Sequence, residues 1–167
     1  MHHDNPVSAL RVHDQDFLIR STIDRCPKVM MIRELFKNAL EAAGEVADGG
    51  GQVQFYVVEA AGVPKLAIWN NGTGLDEEEL GRMTNLAGSI GKEKGLDKNF
   101  GMGAKVASLP SNRHGMRYRS CKNGIVHETI LCEREGIYGR VRRSDTTGND
   151  IGDVVDVTQM VEAEGRL

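Results

Sequence analysis

The chain has 167 residues, enough for one domain with a full hydrophobic core and too few for two comfortable ones. About 40% of the residues are apolar and 27% charged, with a formal charge of -3, a globular composition that excludes a disordered chain and offers no bulk attraction to nucleic acid. No apolar run approaches the roughly 18 residues of a membrane span, and the start MHHDNPVSAL lacks the basic-then-apolar layout of a signal peptide, so a cytoplasmic chain with no membrane partner is expected.

Residues 1–25 are read as a helical lead-in to a single domain covering 1–167. Pro27 can open a helix at its first position, and Ile32, Leu35, Phe36, Ala39, Leu40 and Ala43 then follow the three-four spacing of one buried stripe that ends near Gly44. Asp48 to Gly51 is a flexible connector. Val53, Phe55 and Val57 alternate with Gln52, Gln54 and Tyr56 as a half-buried strand should, and a turn at Gly62-Val63-Pro64 leads into a partner strand from Lys65 to Trp69. After the loop Asn70-Asn71-Gly72-Thr73-Gly74, Asp76 and Glu79 form a capping box, with Leu75 and Leu80 in the staple positions of a short helix.

Residues 84–100, with three glycines and weak periodicity, read as a mobile loop. A helix from about Gly103 to Leu109 is stopped by Pro110. Met116 to Ser120, Ile125 to Leu131 and Ile137 to Arg143 read as strands, the first two joined by the hairpin signal Asn123-Gly124, and a last strand is placed at Val154 to Val157. Helices gathered before and between antiparallel strands give an α+β expectation: a two-layer α/β sandwich with helices on one face of a mixed, mostly antiparallel sheet.

Cys26, Cys121 and Cys132 lack metal or disulfide spacing and are expected as reduced core cysteines, and the five histidines as surface residues. Between Arg113 and Arg143 there are eight Lys or Arg against three Glu, whereas the acidic tail 144–167 has six acids against one Arg. Either strand faces neutralise one another or the basic stretch lines a groove for a polyanion.

Within the first long helix, Glu34 and Asn38 lie one turn apart on a row beside the apolar stripe. An amide oxygen suits a hard cation such as Mg²⁺, and a carboxylate beside it can orient and deprotonate an attacking water. Asn70, at a strand end, carries an amide that can both accept from and donate to a purine edge, while Gly72 and Gly74 let backbone approach a flat ring or a phosphate. Gly101 and Gly103 stand directly before a helix that carries Lys105, where bare N–H groups favour an anion. Each cluster alone could be a solvent-facing pair, a turn or a helix cap.

In order, E-x-x-x-N-A-x-E-A on a helix, a strand followed by N-x-G-x-G, a loose loop and G-x-G before a helix closely resemble the GHKL superfamily of gyrase-type topoisomerases, heat-shock chaperones, histidine kinases and mismatch-repair ATPases. The resemblance covers residues 18 to 143. It implies ATP bound between helices and sheet beneath a mobile lid. By position, Glu34 corresponds to the family's general base, Asn38 to its Mg²⁺ ligand, and Asn70, Gly72 and Gly74 to the adenine-binding loop. Thr84 to Phe100 corresponds to the lid, with Ser89 and Lys92 as phosphate contacts, and Gly101, Gly103 and Lys105 to the second glycine motif. The family's adenine-recognising Asp is here Asn70, whose amide can accept from the adenine amino group or turn to accommodate guanine, so base selectivity stays open.

The resemblance implies Mg²⁺-dependent ATP binding and slow ATP hydrolysis, with lid closure coupled to a partner: a second copy of the chain, a protein client or DNA. Glu34 favours an ATPase, since histidine kinases of the family usually lack an acid at this position, although serine-directed kinases keep one. The alternatives are a nucleotide-sensing module that binds ATP or ADP without turnover, because relatives that hydrolyse well usually borrow a lysine from a following domain, and the ATP-binding domain of a serine or histidine protein kinase.

Overall fold

A computed structural model describes residues 14–85 and 102–164. Helix α1 (Gln15–Asp24) starts at Asp14, whose side chain accepts from the Phe17 amide at 2.8 Å. Helix α2 spans Met30–Ala43, three residues later than Pro27 suggests, because the Pro27 and Lys28 carbonyls first close a turn onto Met30 and Met31. Its apolar positions divide into two rows. Leu35, Ala39 and Ala43 face inward, the two alanines 5% exposed, whereas Ile32, Phe36 and Leu40 stay 41%, 38% and 49% exposed. The expected single buried stripe is thus half covered.

Strands β1 (Val53–Ala60) and β2 (Val63–Asn70) form an antiparallel hairpin. Its turn is Ala61-Gly62, both residues at positive φ (51° and 74°), and not Gly62-Val63-Pro64. Pro64 lies within β2 opposite Glu59, one step beyond the hydrogen-bonded Ala60–Val63 closure, so its missing N–H faces the open edge and costs no ladder bond. Phe55 and Val57, expected to be half-buried, are 47% and 71% exposed, with Phe55 set against Phe36 at 5.5 Å between ring centres.

Helix α3 (Glu77–Thr84) carries the expected capping box: Asp76 accepts from the Glu79 amide at 3.0 Å and Glu79 from the Asp76 amide at 2.9 Å. Helix α4 (Met102–Ser108) runs into a 3-10 turn containing Pro110. The larger sheet is built around β4 (Ile125–Arg134). Strand β3 (Met116–Lys122) pairs along one side, and β5 (Ile137–Arg140) and β8 (Val155–Asp156) share the other. The β3–β4 turn is Asn123-Gly124 at φ 54° and 79°, as a tight hairpin of matching twist requires. Strands β6 (Arg143–Ser144) and β7 (Asp150–Gly152) form a small hairpin of their own, and helix α5 (Thr158–Ala163) closes the described chain.

The fold is α+β. Among the described residues every strand pairing is antiparallel, and the strands fall into three sheets instead of one mixed sheet. Leu131 meets Ile23 of α1, Leu109 after α4, and flanking Val106, Met116 and Tyr118 on one face of β4. Val126, pointing to the other face, meets Val155, Val157 and Val161 of α5. Helices therefore lie on both faces. The region expected as an acidic tail supplies β8, α5 and four of the buried valines, Val154, Val155, Val157 and Val161. Cys132 is buried, Cys26 half-buried and Cys121 exposed, so the cysteines do not all belong to the core. His127 is half-buried rather than on the surface, and its Nδ1 is buried without a partner among the described residues.

The basic stretch is largely neutralised by carboxylates from other parts of the chain. Arg113 pairs with Asp24, Lys122 with Asp76 and Glu79, Arg140 with Asp153, and Arg142 with Asp150. Glu128, 2% exposed, is bonded by Arg119 and Arg143, with Arg117 at 3.3 Å. Burial pushes its carboxyl up, but the arginine hydrogen bonds and charges outweigh this and hold it below the usual range.

Candidate functional site

The half-buried row of α2 formed by Glu34, Asn38 and Ala42 flanks the inward-facing Leu35, Ala39 and Ala43 on the side opposite the exposed Phe36 and Leu40. At 1.5 Å per residue the row is about 12 Å long. Gly103, near the start of α4, closes one end: a Cβ there would lie 2.7 Å from Glu34 Oε2. Gly72 closes the other, where a Cβ would lie 2.8 Å from the Ala42 carbonyl oxygen and 2.9 Å from Asn70 Oδ1. A single helix row thus joins two glycine motifs separated by about thirty residues of chain, and brings Glu34, Asn38, Asn70, Gly72 and Gly103 into one neighbourhood.

The loop after β2 is held by its own side chains. Asn70 Oδ1 accepts from the Gly72 amide at 3.0 Å. Asn71 Oδ1 accepts from the Gln52 amide at 2.7 Å and its Nδ2 donates to the Gly50 carbonyl at 2.8 Å, so this side chain is wholly engaged in tying the loop to the connector before β1. The Leu75 amide donates to Ser120 Oγ at 2.6 Å. Lys122 donates to Asp76 at 3.0 Å and Glu79 at 2.6 Å. The Glu79 amide and then Lys122 lower the Asp76 carboxyl to about 2, so Asp76 holds its charge through the ordinary pH range. Asn71, Ser120 and Lys122 were invisible as site-supporting residues in the sequence. Only the Asn123-Gly124 hairpin hinted at the register that brings Ser120 and Lys122 to this loop.

Two expected ligand-facing residues serve other ends. Gly74 has φ 72°, and a Cβ on it would collide with the Cys121 carbonyl oxygen. Its bare backbone allows the loop to press onto β3 rather than to approach a ring or a phosphate. Lys105 is 1% exposed and its ammonium donates to the Met83 carbonyl in the last turn of α3, a cation on the negative end of a helix. Ser89, Lys92 and Gly101, and nearly all of the 84–100 loop, lie outside the described residues.

Burial lowers the Lys105 ammonium to about 8, whereas the unfolded chain holds that proton to about 10.5. Between these values the unfolded state binds more protons, so this group makes the fold more stable as pH rises. Urea midpoints of the parent and Lys105→Met, compared across that interval, are expected to show a rise in the parent that the variant lacks.

Among the described residues no three His, Cys, Asp or Glu side chains converge, so a Mg²⁺ at Asn38 would take most of its oxygens from phosphate and water. The half-buried amide of Asn38 beside Glu34 fits that role. A hollow of about 440 Å³ lined by Phe36, Leu40, Ala43 and Val53 borders the other side of α2. Another of about 580 Å³ lies between Asp76, His127, Arg140 and Asp153. Neither is lined by Glu34, Asn38 or Asn70. Among the described residues no helix is long and apolar enough to cross a membrane. No protein-family model, curated protein or solved structure matches the chain.

Proposed function

We propose that this chain is a cytoplasmic nucleotide-binding domain of the GHKL type, which binds Mg²⁺-ATP along α2 and hydrolyses it slowly. The observation that carries the reading is the α2 row, with Glu34 against Gly103 at one end and Ala42 against Gly72 and Asn70 at the other. In this proposal the base lies at Asn70 and the phosphates at Gly103 and the start of α4. The Asn38 amide oxygen is the protein's ligand to Mg²⁺, which when bound offsets phosphate charge. Glu34 orients a water and accepts its proton.

Residues 84–100 are the lid in this reading, with Ser89, Lys92 and Gly101 completing the phosphate contacts, and its closure is coupled to a protein client or to a second copy of the chain. The arginines that a DNA partner would use are engaged by carboxylates, which favours the protein partner. Calorimetry with ATP, ADP and GTP, with and without Mg²⁺, followed by phosphate release on the same sample, tests the proposal. Mg²⁺-dependent binding with slow release is the expected result. Binding without release assigns the chain to the sensing alternative, and absence of binding by all three nucleotides removes the proposal.

Gly103 offers a sharper check. The clash of a Cβ at this position is with the mobile end of Glu34, so Gly103→Ala should fold normally, its stability unchanged or raised by up to about 1 kcal/mol as a helical alanine. The displaced carboxylate should slow phosphate release by about tenfold to a hundredfold. Thermal melting and release rates on one preparation separate the two effects, and an unchanged rate would place the base elsewhere.

A further inference from the structure

The β1–β2 hairpin pairs with no other strand among the described residues, so both of its long edges are open. Two-stranded ribbons are marginal in water, and an unpaired edge is a template for another strand. The two edges differ. Counting from the hydrogen-bonded Ala60–Val63 pair, the backbone groups of Val53, Phe55, Val57 and Glu59 point outward from β1, with no proline among them. On β2 the outward positions include Pro64, which has no N–H to offer. The side chains of the same four β1 residues share the face on which α2 lies, since Phe55 meets Phe36. That helix packs chiefly over β2, which leaves the β1 side as an open apolar shelf. Phe36, Leu40, Phe55, Val57 and Leu66 keep between 38% and 71% of their surface, and the hollow of about 440 Å³ beside Phe36 and Leu40 reaches Val53.

We infer that a second copy of this chain docks on this shelf, its β1 pairing antiparallel with β1 across a two-fold axis at Tyr56. Two strands from each copy then make one continuous sheet. In that register Phe55 faces the other copy's Val57, and Val53 faces its Glu59, so no carboxylate meets another. Every outward N–H and C=O of the four β1 residues gains a partner. Both α2 helices lie on one face of the joined sheet, where Phe36 and Leu40 cover Phe55 and Val57. The five exposed side chains carry about 400 Å² of apolar surface, close to the non-polar share of one side of a standard interface. The joined sheet ends on two β2 strands that carry Pro64 and Lys65, so the assembly closes at two copies instead of growing. The shelf lies on the side of α2 opposite Glu34 and Asn38, and docking there needs no nucleotide.

Sedimentation equilibrium of the full, nucleotide-free chain tests the inference. A monomer–dimer equilibrium in the micromolar range or tighter is expected. Val57→Lys changes an exposed position and should melt like the parent, yet weaken the dimer about a hundredfold or more, because its ammonium would be buried beside the other copy's Phe55. Val63→Lys, on the opposite face at the hairpin tip, should leave the dimer unchanged. Tyr56→Cys combined with Cys121→Ser should cross-link on oxidation, since facing residues of a non-hydrogen-bonded antiparallel pair lie about 4.5 Å apart at Cα. A parent that stays monomeric at about 100 μM, or a dimer that a folded Val57→Lys leaves intact, overturns the inference. A dimer that never cross-links through position 56 overturns the β1 pairing. Should Val57→Lys fail to fold, the parent's mass and the cross-link decide.

Discussion

Glu34→Ala is expected to lower phosphate release by about 10²- to 10⁴-fold while nucleotide affinity stays within a few-fold of the parent. The carboxylate reaches the start of α4 from a half-buried position, where Gly103 leaves room for it, and the row continues through Asn38 toward the loop after β2. Its deletion removes a proton acceptor without disturbing the buried Ala39 and Ala43 or the loop hydrogen bonds, so binding and turnover should separate. Release rates at saturating nucleotide, with affinity from calorimetry, make the comparison. Equal rates in variant and parent would assign water activation to another group and leave Glu34 a solvated helix residue.

Gly74→Ala should lose about 3 kcal/mol or more of stability, the left-handed backbone and the overpacking each contributing. The added methyl would meet a backbone carbonyl, Cys121 in β3, instead of the end of a flexible side chain, and φ 72° disfavours any L residue there. Relief requires the loop to lift from β3, which breaks the Leu75–Ser120 hydrogen bond and the Lys122 contacts to Asp76 and Glu79. Urea denaturation read by circular dichroism measures the loss. A midpoint matching the parent would mean that the loop does not press on β3 in the folded chain. The contrast with Gly103→Ala separates a glycine needed for the fold from one needed for the position of Glu34.

Local chemistry was legible where a few neighbouring residues decide the outcome. The Asp76–Glu79 capping box, the Asn123-Gly124 turn and the end of α4 before Pro110 each depend on contacts within about one helical or hairpin turn. The 34/38 spacing likewise fixes which side of α2 the two groups share. What escaped depends on the partner across space. Nothing near Gly74 announces Cys121, and nothing near Lys105 announces Met83. Glu128 is buried because cross-strand Arg119 and Arg143 from the following hairpin converge on it. The turn before β2 carries no local signal at its first position, since Ala61 has no preference for φ 51°, and Pro64, a turn residue by type, lies inside the strand. The α5 region reads as an acidic tail since its valines are spread among carboxylates, and only pairing with β4 collects them into a core.

The claim at the centre of this account is that one α2 row serves both glycine motifs around a single triphosphate. Amide-resolved NMR of the full chain, titrated with Mg²⁺ and a non-hydrolysable purine triphosphate, tests it most directly. The predicted result is one set of shifted resonances covering Glu34 to Ala42, Asn70 to Gly74 and Gly103, all saturating together. Shifts confined to the hollow beside His127, or two clusters saturating at different concentrations, would contradict it.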